Sequence, residues 1–374
     1  MGKRGRIDEL DLVRAIAIIA VIAIHSTTNP IVNLDKNSVM YPFYIFINTF
    51  SAFAVPTFIM LSGLVLFYNY YPRDFGPKAI KDFYFKRIIY IAIPYITISL
   101  LYYIFNHYYV GKSFNVMVID FVGKLLNGRA NYQLYYMVVI IQFYIAFPLF
   151  LGLIKKYNWL AKNTLWLGFL IQWIFWYINS HYIHYSRTSV VPFTYFSYFF
   201  VGAYIGIYYE KVKIWLFHSF NQINLKIKLF RFTLILTWLF STLAYLFLIY
   251  QLRIEDPVKI NTVVYTILYN VFTLSTGLII YQLAVKVYSK YSSILWVKAL
   301  EIIGIISFGI YLIHPFFYIY YNKIQYSGNP LVYHLQIGGK FLVGLILSWI
   351  LVYYVSKYIK ISWIFFGKSS ISKK

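Results

Sequence analysis

The chain contains no cysteine and little charge of either sign. Without cysteine it has no disulfide, no thiolate nucleophile and no thiolate metal site. Charged residues make up 12% of it, about half the share of a soluble domain. Only 11 of 374 residues are acidic. There is also no internal repeat, no low-complexity tract and no long soluble insertion. A cleavable leader is not evident either, because the first apolar run lacks a small-residue cleavage site. That run is read as a retained first helix.

What is present is apolar: 61% of the residues are hydrophobic and 22% aromatic. This is the composition of an integral membrane protein. The formal charge of +23 would suit nucleic acid. The basic residues, however, fall in short loops between apolar runs and form no basic domain, so nucleic acid is set aside as a partner. The 41 tyrosines and 9 tryptophans fit interfacial belts.

The expected fold is all-α and polytopic, one membrane domain over residues 1–374 with about ten spans. The spans are placed at roughly 10–27, 41–70, 84–108, 132–154, 163–180, 192–209, 230–252, 262–286, 300–322 and 337–358, each long enough to cross ~30 Å of hydrocarbon. Pro56 predicts a kink or tilt in the second. The stretch 115–126 is too short to cross and is expected at the interface. The basic connection 210–230, with Trp215, Phe217 and Phe220, is expected on the lipid surface. If the N-terminus is cytoplasmic, the loops on that side carry 24 of the 34 lysines and arginines, and the other side 9. The thirty-fourth is Arg14, inside the membrane. The positive-inside rule then puts both termini in the cytoplasm. Lys-, Ile-, Tyr- and Asn-rich usage hints at an AT-rich bacterial genome, so the expected location is a bacterial plasma membrane.

One stretch stands out, DLVRAIAIIAVIAIH, from Asp11 to His25. Ionisable residues inside a span are costly and point to function. Eleven residues separate Arg14 from His25, which puts both on one helix face roughly 16 Å apart. Neutral imidazole can take a proton from a hydroxyl or accept an acyl group. The guanidinium can bind phosphate or carboxylate, and Asp11, three residues before it, can pair with and orient it. The plain alternatives are an interfacial histidine and a snorkelling arginine. Lys86 and Arg87 open the third span, either as a topology signal or to hold an anionic cosubstrate. His314 reaches the same depth as His25 in the ninth span, and Pro315 after it frees backbone groups. His107, His181, His184, His218 and His334 read as surface residues, and no metal site is expected.

These residues carry a resemblance. The chain resembles the membrane acyltransferase-3 family, whose opening motif is an acidic residue, then arginine, ten residues and histidine: here Asp11, Arg14 and His25. VPTFIMLSGLVLF is similar to the family segment with Pro56, Ser62 and Gly63. KRIIYIAIPYI is similar to its basic run before Pro94 and Tyr95. QLYYMVVIIQFYIAFP follows through Tyr144 and Pro148, SYFFVGAYIG through Gly202, and IGIISFGIYLIHP through Gly304, Ser307, Tyr311 and His314. Two positions depart: Tyr90 replaces a second arginine, and Tyr135 a tryptophan.

The resemblance implies O-acylation of cell-surface or exported carbohydrate, with cytoplasmic acyl-CoA as cosubstrate and no permanently bound cofactor. It implies a catalytic His25, with Asp11 in the same set. Arg14, Arg87 and Lys86 would serve the donor, and His314, Tyr311 and Ser62 the acceptor side. The acceptor would be a carbohydrate polymer or lipid-linked glycan, with membrane lipid around the protein. No hydrolase-like domain outside the membrane is expected, so the acyl group would pass directly to an acceptor or to a separate protein. Polysaccharide export is the alternative, with aromatic side chains lining a sugar path. A lipid-linked glycosyltransferase fits less well, since Asp35 is the one acidic residue in the first outer loop.

Overall fold

The computed structural model describes residues 4–107, 113–217, 223–254, 259–369 and 371, and among these there is no strand. The first helix is α1 (Leu10–Asn33), which ends just after Pro30. Helices α2 (Tyr41–Phe50) and α3 (Ala54–Tyr70) follow, joined by a 3₁₀ turn over Ser51–Phe53. Pro56 has no N–H to return to the carbonyl four residues earlier, and the backbone tightens into the 3₁₀ turn just before it. Next come α4 (Pro77–Arg87) and α5 (Ile93–His107), joined by a π-helical turn over Ile88–Ala92, then α6 (Phe114–Leu126), α7 (Tyr135–Lys156) and α8 (Asn158–Ile178). The rest are α9 (Phe196–Ile207), α10 (Tyr209–Phe217), α11 (Leu225–Gln251), α12 (Thr262–Tyr291), α13 (Leu295–Ile305), α14 (Ser307–Tyr321), α15 (Pro330–Tyr358) and α16 (Trp363–Phe366).

Seven helical segments are long and apolar enough to cross a membrane, and α13 with α14, bent by 80° at Ile306, make an eighth if taken as one. The expectation of ten is met to that extent. Two expected spans fall short. The one at 163–180 lies on α8, which is not among the seven. That at 192–209 is α9, whose 12 residues rise only about 18 Å. Helix α6 buries no residue, as a short surface helix would. The connection 210–230 differs from expectation. Trp215 is buried and packs edge-on against Phe230, and its carbonyl accepts a bond from Arg231. Phe220 and the Phe217 side chain lie outside the described residues.

Two-thirds of the apolar windows of α1 and of the α2–α3 segment are buried, against 22% for α11. Helices α1 and α3 are therefore central and α11 peripheral. Large apolar side chains such as Trp166, Phe240 and Phe247 face outward, as lipid-facing residues do. The closest packing is between α3 and α9. A Cβ at Gly202 would collide with the Met60 carbonyl, one at Gly63 with the Phe199 carbonyl, and one at Gly206 would lie 2.5 Å from the Leu64 carbonyl oxygen. Small residues permit this backbone approach, which in lipid substitutes for hydrophobic driving force. Gly304 on α13 does the same against Asp11, where a Cβ would meet the Asp11 carbonyl. The first turn of α1 is thus pinned from the side.

Candidate functional site

The site is built on α1. Its first turn carries Asp11, 1% exposed and claimed by two arginines. Arg14 Nη1 donates to Asp11 Oδ1 at 2.5 Å, and Arg6 bonds the other oxygen as well as Asp8 at 3.1 Å. A carboxylate that accepts from two guanidinium groups fixes the position of both. Just outside the helix, burial raises the Glu9 carboxyl above its ordinary range, opposed by bonds that include one from the Tyr209 hydroxyl at 3.3 Å.

Arg14 opens into a cavity of 370 Å³ lined also by Arg87, Lys368, Tyr90, Ser62 and Tyr144. Arg87 closes α4 and lies over the rings of Phe83 at 4.2 Å, Tyr144 at 5.4 Å and Tyr70 at 5.7 Å. Aromatic faces hold a guanidinium in place without neutralising it. Tyr90 lies on the π turn, where Pro94 cannot supply the regular helical bond. In the arginine's stead, Lys368 Nζ stands 5.7 Å over the Tyr90 ring. The C-terminal segment thus brings a third cation to the cavity, turning in through Gly367 at φ +68°. Lys86 is exposed and does not line this cavity.

His25 opens into a different cavity, of 620 Å³, with Tyr132, Tyr318, Lys340, Asn322 and Gln325. Its ring lies 4.6 Å from that of Tyr132 and stacks on His314 at 5.4 Å and 24°. His314 is fully buried, and its Nδ1 is 3.1 Å from the Ile310 carbonyl. A carbonyl can only accept, so Nδ1 carries the proton and Nε2 keeps its lone pair. No partner reaches that Nε2 among the described residues.

No residue lines both cavities. Tyr311 lines the first, with its ring 6.2 Å from His314 and its hydroxyl bonded to the Gln133 carbonyl. Tyr311 and His314 therefore stand in the partition between the two cavities, with His314 stacked on His25 at its far side. Ser62, whose hydroxyl bonds Phe58 O at 2.9 Å, and Tyr311 were both expected beside the acceptor. They belong instead to the arginine cavity, because α3 and the N-terminal turns of α14 lie at its depth.

Two lining residues escaped sequence reading. Lys340 was counted as a loop charge, but α15 begins at Pro330, so Lys340 sits about 15 Å into the helix. It is 6% exposed with Nζ 5.1 Å over the Tyr318 ring. A lysine within the apolar run GGKFLVGLIL is the signal that could have found it. Lys368 looked like a tail charge. Of the other histidines, His181 is exposed and bonds Tyr177 and Ser180, His184 is exposed, and His334 bonds the Tyr44 hydroxyl at 2.8 Å. His218 and the His107 side chain lie outside the described residues. Among the described residues no three histidine or carboxylate groups gather as metal ligands would.

Residues 7–353 match a family profile described as an acyltransferase domain. A Staphylococcus aureus (strain N315) protein named "Probable poly-beta-1,6-N-acetyl-D-glucosamine export protein" is 31% identical over 218 residues, which is 54% of this chain and 58% of the relative. A Staphylococcus epidermidis protein of the same name is 24% identical over 217 residues, 54% of this chain and 57% of the relative. The chain thus spans somewhat over half the length of these relatives. No solved structure matches.

Proposed function

This chain belongs to the acyltransferase-3 family, and on that premise we propose that it is a membrane O-acyltransferase. It moves an acyl group, acetyl or similar, from cytoplasmic acyl-CoA to a hydroxyl of a cell-surface or exported polysaccharide. The observation that carries this reading is the pairing of an arginine-lined cavity with a histidine-lined one, with Tyr311 of the first cavity linked through the His314 ring to His25 of the second. A single multi-span domain in a bacterial plasma membrane, with the N-terminus cytoplasmic, is supported by the excess of basic residues in the loops on one side.

In this reading the donor's anionic groups meet Arg14, Arg87 and Lys368, and Asp11 holds Arg14 in place. Lys86, at the rim, attracts the donor without touching it. The acyl end points toward Tyr311 and Ser62. On the other side, once the Tyr311 and His314 rings have moved aside to admit the acyl end, His25 takes the proton of the acceptor hydroxyl as its oxygen attacks the thioester carbonyl. The C–S bond breaks and the thiolate leaves toward the arginine end, where it is protonated. His314 backs the His25 ring and supplies a nearby lone pair at Nε2. The acceptor polymer or lipid-linked glycan lies against Tyr132, Tyr318 and Asn322. The deciding experiment measures acyl groups per sugar on surface polysaccharide from cells with wild type and with His25→Ala. Unchanged acylation in the variant would falsify the mechanism.

Export is the second reading, favoured by the relatives' printed name. It predicts that the Arg14→Ala variant stops secretion of polymer while the acyl content per sugar stays constant. Transferase action predicts the reverse.

A further inference from the structure

A third cavity, of 340 Å³, lies beside the donor cavity and is not used by the reaction above. Its lining includes Arg4, Arg6, Arg14, Arg73, Val65 and Tyr68, and Arg14 and Val65 also line the donor cavity. The two spaces therefore adjoin at Arg14.

The charges here do not balance. Arg6 and Arg14 share Asp11, and Arg6 also takes Asp8. Arg4 and Arg73 have neutral partners. Arg4 Nη1 bonds the Tyr68 carbonyl at 3.4 Å and the Gly206 carbonyl at 3.2 Å, with its guanidinium 5.0 Å over the Tyr68 ring. Arg73 Nη2 meets Asn69 at 3.5 Å, and its buried Nε has no partner among the described residues. Each guanidinium offers five N–H groups, so most of this donor capacity is unspent. Leu10, where α1 begins, also lines the cavity and adds the positive end of a long helix. Four guanidinium groups facing one space, with two carboxylates between them, suit a ligand carrying several negative charges.

We propose that this cavity holds the ribose phosphate at the nucleotide end of the acyl donor, with Arg4 and Arg73 as its recognition residues. The claim rests on the acyl-CoA reading above. It divides the donor between two spaces: the ribose phosphate among Arg4, Arg6 and Arg73, and the pyrophosphate and thioester arm past Arg14 into the donor cavity. A lipid headgroup offers the same phosphate chemistry, and the test separates the two sources.

The full chain is placed in lipid nanodiscs, and binding of acetyl-CoA is compared with binding of its form lacking the ribose phosphate. Wild type is expected to prefer acetyl-CoA by about tenfold, the worth of one charge-assisted contact. In Arg73→Gln and Arg4→Gln the preference should fall to about twofold or less, with affinity for the dephospho form retained. Arg4 also caps helix ends, so Arg4→Lys and a thermal unfolding midpoint accompany it. The Lys variant should fold as wild type and keep part of the preference.

Retention of the full preference in both Gln variants overturns the proposal, as does its absence in wild type. If the variants instead change only retention of phosphatidylglycerol, compared with phosphatidylcholine discs, the site is for a headgroup and the donor claim is wrong. If wild type binds neither donor form, the acyl-CoA reading itself fails. If every variant binds both forms as wild type does, only the arginine cavity fails.

Discussion

His25 and His314 stack with ring centroids 5.4 Å apart and planes inclined by 24°, although 289 positions separate them in the chain. Since His314 Nδ1–H is held by the Ile310 carbonyl, the two rings are not equivalent. One opens into the 620 Å³ cavity, and the other is sealed behind it. The following outcomes are expected.

His25→Ala should lower acylation of surface polysaccharide by about a hundred- to ten-thousand-fold, the usual worth of a positioned base. Its level in the membrane should not change. Mass spectrometry of the polysaccharide with an immunoblot of membranes checks both.

His314→Asn keeps an N–H where Nδ1 now donates to Ile310 and removes the Nε2 lone pair. It should unfold at the wild-type temperature and lose at least about tenfold in transfer rate. A variant that unfolds early would show that His314 serves packing alone.

Lys340→Met removes an ammonium buried beside the Tyr318 ring, for which desolvation is the cause acting on its charge. Relieving that desolvation should stabilise the protein by about 1–2 kcal/mol, while transfer falls because the acceptor cavity loses its cation. Thermal unfolding and acylation, measured on one preparation, should move in opposite directions.

Glu9 provides a pH signature. Its carboxyl is raised by burial in the folded state, so the folded protein favours the protonated form. The resulting stability is present below the ordinary carboxylate pKa and is lost as pH rises through the folded one. Glu9→Gln should therefore melt higher than wild type at neutral pH, and the gap should close on acidification. A gap that widens in acid would show that the carboxylate, not the carboxylic acid, is the form the fold prefers.

Gly202→Val inserts atoms where the Met60 carbonyl lies. Helices α3 and α9 must separate, at a cost of about 1–3 kcal/mol or more. Expression and melting temperature should drop together.

Most of this was legible where the cost of a residue in lipid gave it away. Arg14 and His25 stand out in an apolar run, and helical spacing alone put them on one face. Arg87 was legible as a cation at a span edge. Lys340 was not, because it fell at the very start of the expected span 337–358 and so counted with the charges outside the membrane, whereas α15 begins at Pro330. Ser62 and Tyr311 line the cavity that holds Arg14, which residue spacing did not show because it does not tell which faces of α3 and α14 meet α1. Helix α9 was overcalled as a span for a related reason. Its apolarity reflects burial against α3, and a window of hydropathy cannot distinguish that from contact with lipid.

The partition of Tyr311 and His314 bears on more than chemistry. A protein with deep polar cavities from both ends of its helices risks becoming a leak for protons and small ions. The rings of Tyr311 and His314 and a hydrogen-bonded hydroxyl stand between these cavities. In a membrane that holds a gradient, a barrier of this kind would let donor and acceptor groups approach without opening a continuous polar path.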